Sequence, residues 1–275
     1  MGQTIACANQ KGGVGKTTTV VNLASYLALL GDRVLVIDLD PQGNGTSGLG
    51  VDRSSVERSM YDALVDGAPL DGLVIQGTAE GVDLVPAAIA LAGADLELAG
   101  VTARERRLRR LVEPVAADYD VIFIDCPPSL GLLTVNALTA ADAVLIPLQC
   151  EYYALEGLTQ LLATIDLVRD HLNPHLALQG VVLTMYDART NLSADVAAEA
   201  RRHLGDAVYE TVIPRSVRLS EAPSHGLPIT RYAPDSRGGA AYEQLALEFR
   251  ARSGREIASA TTNEAEARDA AMVMS

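Results

Sequence analysis

A chain of 275 residues that is 48% hydrophobic and 21% charged carries enough apolar side chains to bury a sizeable core, which excludes wholesale disorder. No apolar run reaches the ~18 residues of a bilayer-spanning helix, the opening MGQTIACANQ has no basic-then-apolar leader pattern, and the three cysteines (Cys7, Cys126, Cys150) form no C-x-x-C pair. The net charge of −13 excludes a uniformly basic coat for nucleic acid but not a local basic face, so a cytoplasmic protein without membrane attachment is expected.

In chain order, β-rich apolar runs alternate with helical patterns. A strand over Thr4–Ala8 runs into a glycine-rich loop, and a helix over Lys16–Leu30 follows. Strands Val34–Asp38 and Val82–Pro86 come next, then a helix over Arg104–Ala117, strand Val121–Asp125 and helix Leu132–Ala140. Strand Ala143–Pro147, helix Leu155–Leu172, strand Gly180–Thr184, helix Ala194–Leu204, strand Val208–Ile213 and helix Gly239–Arg252 complete the series. Several strands (VLVID, VIFID, AVLIP) are unbroken apolar runs, as expected where both faces are covered by helices. No Ser/Pro/Gly linker interrupts the alternation. The expectation is one α/β domain over residues 1–252, a doubly wound and mostly parallel sheet flanked by helices. Residues 253–275, rich in Ala and Glu, are expected to form a flexible acidic tail without the basic amphipathic face of a membrane anchor.

The loop after the first strand reads Asn9-Gln10-Lys11-Gly12-Gly13-Val14-Gly15-Lys16-Thr17-Thr18. Glycines let backbone N–H groups converge on phosphate oxygens, and the following helix adds the positive end of its dipole. In such a cradle Gly12, Gly13, Val14, Gly15 and Thr18 wrap the phosphates of a nucleoside triphosphate. Lys16 reaches the β- and γ-phosphates, and the Thr17 hydroxyl ligates Mg2+. The usual pattern places glycine five residues before Gly15, where this chain has Gln10, and it adds a second cation, Lys11. Lys11 and Lys16 are the two lysines among 22 basic residues, the rest being arginine. Retaining a compact ammonium at both positions of one loop points to a role a planar guanidinium would not fill. A second cation there suits transition-state charge, either in its own subunit or across an interface.

Two further strands end in carboxylates. Asp38 and Asp40 close VLVIDLD, and Asp125 closes VIFID. Strand C-termini face the ligand crevice of an open α/β sheet. Asp38 and Asp125 are therefore candidates, with Thr17, for holding hydrated magnesium, and Asp40 for orienting the attacking water. Together the three segments make a phosphoryl-transfer site of P-loop NTPase type.

With these residues in place, the chain resembles the ParA/Soj chromosome-partitioning ATPases of the deviant Walker-A group, which also includes MinD. The strings that carry the likeness are NQKGGVGKTTT, VIDLDPQGNGTSGLG, VIFIDCPPSLGLLTVNALTAAD, PLQCEYYALEGLTQL, LTMYDARTNLS and TVIPRSVRLSEAPSHGLPI, spread over residues 3 to about 250. The resemblance implies ATP and Mg2+ as cofactors and slow, partner-stimulated hydrolysis. It implies a nucleotide-gated homodimer in which Lys11 contacts the opposite subunit's nucleotide, with Cys126–Ser129 as a switch. It also implies a ParB/Spo0J-like partner, nonspecific binding of double-stranded DNA by the ATP dimer, and association with the nucleoid. Arg189 and Arg218 match the family's DNA-contacting positions, and Pro214 lies near its adenine pocket. The other reading is a ParA/MinD-like ATPase that positions a different cargo, or regulates division at a membrane or scaffold. A second cluster, Arg104, Arg106, Arg107, Arg109 and Arg110, is expected on a solvated, ion-paired helix face.

Overall fold

The computed structural model describes residues 2–151 and 154–254. Seven strands, β1 (Gln3–Cys7), β2 (Val34–Asp38), β3 (Asp83–Val85), β4 (Val121–Asp125), β5 (Ala143–Gln149), β6 (Ala177–Tyr186) and β7 (Val208–Pro214), form one sheet in the order β3-β2-β4-β1-β5-β6-β7. All neighbouring strands run parallel. The longer helices are α1 (Lys16–Leu29), α6 (Leu132–Ala140), α7 (Ala154–His171), α8 (Asn191–Leu204) and α11 (Arg237–Arg252). Between them stand the short helices α2 (Asn44–Gly48), α3 (Met60–Leu64), α4 (Ala94–Glu97), α5 (Arg107–Val112), α9 (Val217–Glu221) and α10 (Ile229–Tyr232).

The unbroken apolar strands are buried on both faces because alternate side chains feed two separate cores. Ile122 and Ile124 of β4 join Leu35, Ile37 and Ala6 in a core covered by α3, α5, α6, α7 and α8. Val121 and Phe123 join Ile5, Val34 and Val36 in a second core beneath α1 and α11. Each such Ile or Phe stabilises the sheet by ~1.5–3 kcal/mol through burial. Helix α7 shows the matching pattern, burying Leu158, Leu161, Ile165 and Val168 along one stripe.

The margins of the sheet are covered. Beside β3, Ile75 and Leu84 exchange two backbone hydrogen bonds of 2.8 and 2.9 Å in an antiparallel bridge. Along β7, the N–H groups of Glu210 and Thr211 donate to the Glu248 carboxylate at 2.9 Å each, and Arg252 donates to the carbonyl of Val208.

One expected helix is shorter than its sequence suggests. Over Arg104–Ala117 the chain makes a single 3-10 turn at Arg104–Arg106, then α5, then another turn at Ala116–Asp118. Ala103 sits at φ 54°, bending the entry, and Pro114 cannot donate the hydrogen bond that would carry α5 onward. Its arginines are used locally. Arg104 pairs with Glu105, Arg109 pairs with Glu113, and Arg107 donates to the carbonyl of Val65. Helix α11 ends at Arg252, and the tail expected over 253–275 lies, from residue 255 on, outside the described residues.

Candidate functional site

Strand β1 lies between β4 and β5, so the chain leaves it toward β2 on one side and later returns to β5 on the other. The loop after β1 therefore opens at the point where strand order reverses, the place where doubly wound sheets bind ligands. Side chains tie that loop to the strands beside it. Asn9 donates to the Pro147 carbonyl at 2.8 Å and accepts from the Lys11 N–H, while Thr184 of β6 donates to the Val14 carbonyl at 2.8 Å. Gly15 caps α1 in the left-handed region at φ 90° with no side-chain cap, so the first N–H groups of α1 point toward the cleft.

The cleft has a volume of about 350 Å³. Gly12, Gly13, Gly15, Lys16, Thr17 and Thr18 line it from the loop, and Asp40 lines it from the end of β2. Lys16 is buried and its Nζ donates to the Lys11 carbonyl at 3.1 Å, which folds the ammonium back over the loop. Of the expected nucleotide and metal residues, Lys11, Val14, Asp38, Asp125 and Pro214 do not line the cleft: the two aspartates are fully buried and Pro214 lines a second cavity. Val14 is packed inside the protein and contributes backbone only. Lys11 points away, in a half-exposed ion pair with Glu151 at 3.0 Å.

Asp38 and Asp125 are register partners across β2 and β4, both fully buried. Their surroundings differ. Asp38 Oδ2 accepts from the Thr46 N–H and hydroxyl, each at 2.7 Å, and Oδ1 accepts from the Asp40 N–H at 3.2 Å. Burial nevertheless raises the Asp38 pKa to about 6, against the pull of the Thr46 bonds. Asp125 has no hydrogen-bond partner on either oxygen. Burial, with the charge of Asp38 added, pushes its carboxyl well above the usual range; the nearby Thr17 hydroxyl and Lys16 act in the opposite direction. A deeply buried carboxylate left without a donor is costly unless a cation meets it. The residues fit a hydrated magnesium ion, which Thr17 and Asp125 would hold, while Asp38 is already engaged by Thr46.

A second cavity of about 390 Å³ adjoins the first, sharing Gly15, Thr18, Met185 and Pro223. Pro214 and Arg215 line it from the end of β7, with room for a flat ring. Sequence reasoning missed several walls of these two spaces. Met185, at φ 52°, borders both, and Asn22, Gln42, Asn44 and Leu227 border the first. Thr46, which holds Asp38, was also missed, because a lone threonine in a glycine-rich stretch carries no pattern of its own.

Arg189 and Arg218 lie off the cleft, on elements that follow β6 and β7. Arg189 sits in a turn closed by Thr190 N–H to Asp187 O at 3.1 Å, and its exposed guanidinium makes two bonds to the Asp187 carboxylate, at 2.9 and 2.7 Å. Those bonds hold Asp187 far below the ordinary carboxylate range. Arg218, on α9, pairs with Glu221 at 3.0 Å. Among the described residues no helix is long and apolar enough to cross a membrane.

Residues 2–178 match the family model described as an AAA domain. The sporulation initiation inhibitor protein Soj of Bacillus subtilis is 59% identical over 251 residues, spanning 91% of this chain and 99% of that protein. The chromosome partitioning protein ParA of Caulobacter vibrioides is 53% identical over 246 residues, spanning 89% and 92%. Among solved structures, cobyrinic acid a,c-diamide synthase from Mycobacterium smegmatis, with a bound ATP analogue and magnesium, superposes with a TM-score of 0.80 at 40% identity, over 93% of this chain and 98% of that one. The architecture is that of the P-loop NTPases.

Proposed function

This chain belongs to the ParA/Soj family of chromosome-partitioning ATPases, and from that premise we propose that it is an ATP-gated dimerising switch that binds DNA without sequence preference and resets by slow hydrolysis. The observation that carries the reading is the glycine-lined cleft walled by Lys16 and Thr17, with the buried, donorless Asp125 close to both. Magnesium, when bound, neutralises phosphate charge. The chain's own residues do the rest of the work. Backbone N–H groups of residues 12–18 cradle the phosphates, and Lys16 counters the charge that develops on the outer ones. Thr17 and Asp125 seat the hydrated cation, and Asp38 keeps Asp125's side of the floor negative. Asp40, facing the cleft, orients the attacking water. Pro214 lies against the base.

Lys11 couples nucleotide to association. Its present partner, Glu151, forms a half-exposed ion pair worth ~0–1 kcal/mol, which a neighbouring triphosphate readily outbids. Lys11 then crosses to the nucleotide of the second copy, and the dimer forms only while that charge is present. The exposed Arg189 and Arg218 supply the DNA face, exchanging weak surface pairs for phosphate contacts, and dimerisation doubles their number. A ParB-like partner stimulates hydrolysis, and the ATP dimer resides on the nucleoid.

The test is a gel-shift salt series with the hydrolysis-deficient Asp40→Ala protein and ATP on unrelated duplexes. Affinity should be alike on all of them and fall steeply with salt. The Arg189→Ala, Arg218→Ala pair should weaken binding on every duplex and flatten the salt slope by about one unit per lost contact per subunit, so about two for either arginine alone and about four for the pair in a dimer. Unchanged affinity would move the DNA face elsewhere; ATP-dependent binding to liposomes in place of DNA would overturn the reading in favour of a membrane-acting regulator.

A further inference from the structure

The turn that carries Asp40 is thin. Residues 40–43 separate two spaces: the cleft in front, bordered by Asp40 and Gln42, and a cavity of about 450 Å³ behind. Pro41, Gln42 and Gly43 form the near wall of that rear cavity, and Arg53, Ala87 and Ile89 stand among its other walls. Asp40 and Gly43 at its ends are buried, but Pro41 and Gln42 between them face open space, so the position of this stretch depends on its hydrogen bonds.

Two of those bonds are internal. The Gln42 N–H donates to Asp40 Oδ1 at 3.0 Å, and the Gly43 N–H donates to the Asp40 carbonyl at 2.8 Å. They shape the turn and aim the carboxylate, but they move with it. Among the described residues, the hydrogen bond that reaches residues 40–43 from beyond the 38–47 stretch comes from Arg53, whose guanidinium donates to the Gln42 carbonyl. The stem of Arg53 also lies flat over Gly43. That glycine holds φ 62°, and a Cβ there would stand 2.7 Å from Arg53 Cδ. Glycine thus serves twice at this position, for its backbone conformation and for the close approach of the arginine.

We propose that Arg53 is a positioning residue for hydrolysis: it braces the 40–43 turn from the rear cavity and thereby fixes the Asp40 carboxylate toward the cleft. The inference rests on the role proposed above for Asp40. Arg53 touches no reacting atom, so it acts on the rate of the chemical step and not on nucleotide affinity. A displacement of about 1 Å at an orienting group costs up to ~100-fold, and partial loosening of one brace is expected to cost about tenfold.

Single-turnover hydrolysis by the full-length protein, with ATP and magnesium pre-bound and ATP affinity measured separately, tests this. Arg53→Ala is expected to slow hydrolysis about tenfold while ATP affinity stays within twofold. Arg53→Lys, which can still donate to the Gln42 carbonyl, should recover most of the rate. In an Asp40→Ala background Arg53→Ala should add nothing, because the group it positions is gone. A slow Asp40→Ala with an Arg53→Ala of normal rate would overturn the proposal alone, as would full additivity in the double variant. An Asp40→Ala that hydrolyses normally would instead overturn the role given to Asp40.

Discussion

Replacing Asp38 by asparagine in the nucleotide-free protein isolates the cost of the buried carboxylate pair. Burial raises the Asp38 pKa to about 6 from an unfolded value near 4. Between those values the folded protein holds a proton that the unfolded chain has released, so stability is greatest below the window and is lost as pH rises through about 6. For this one group the folded protein should be about 1 kcal/mol more stable at pH 5 than at pH 7, with a limit of ~3 kcal/mol at lower pH. Asp125, also raised, adds in the same direction. Carboxylates held low, such as Asp187, run the other way but titrate below this range. Urea unfolding at pH 5 and pH 7 measures the difference directly. Asp38→Asn should shrink the pH 5 advantage by about 1 kcal/mol, or about 2–4 °C in Tm. Saturating ATP and magnesium should shrink it in the natural sequence too, since a cation favours the ionised pair. An equal pH 5-to-7 difference in both proteins would refute the account of the floor as a buried, strained carboxylate pair.

Lys16→Ala should abolish ATP binding in titration calorimetry, and wild-type affinity in that variant would remove the loop from the site. In light scattering with ATP, Lys11→Ala should stay monomeric, whereas Asp40→Ala should accumulate as a dimer; a monomeric Asp40→Ala with nucleotide bound would contradict the coupling. Gly45→Ala sets a methyl 3.0 Å from Asp38 Oδ2 and 3.3 Å from Asp125 Oδ2. It should weaken magnesium-dependent ATP binding about tenfold and destabilise the fold by ~1–3 kcal/mol, which calorimetry with and without magnesium and urea unfolding will separate.

The strands were legible because their apolar runs are unbroken, and β2 and β4 fall where the sequence places them. The short helices α2 and α3 were not, since five residues are too few to show a period. The Arg104–Ala117 pattern misled because its apolar positions (Leu108, Leu111, Val112, Val115) keep helical spacing across Pro114, which ends the helix. At the site, the loop lysines and the strand-end carboxylates announce themselves by type and spacing. Met185, Pro223 and Leu227 do not, because they come from separate elements that meet only at the loop end of the sheet. Glu151 is likewise invisible as the partner of Lys11, 140 residues away in sequence.

Both margins of the sheet are closed, one by the Ile75 bridge and the other by the side chains of Glu248 and Arg252. A bare margin would be a template on which further copies could stack strand against strand, in a fibre with no natural end and no means of release. With both margins occupied, the copies of the dimer proposed above are left to meet through the loops, where a small diffusible ligand would sit between them. Growth by templating would then be replaced by contacts that dissolve when that ligand changes, as the proposed switch requires.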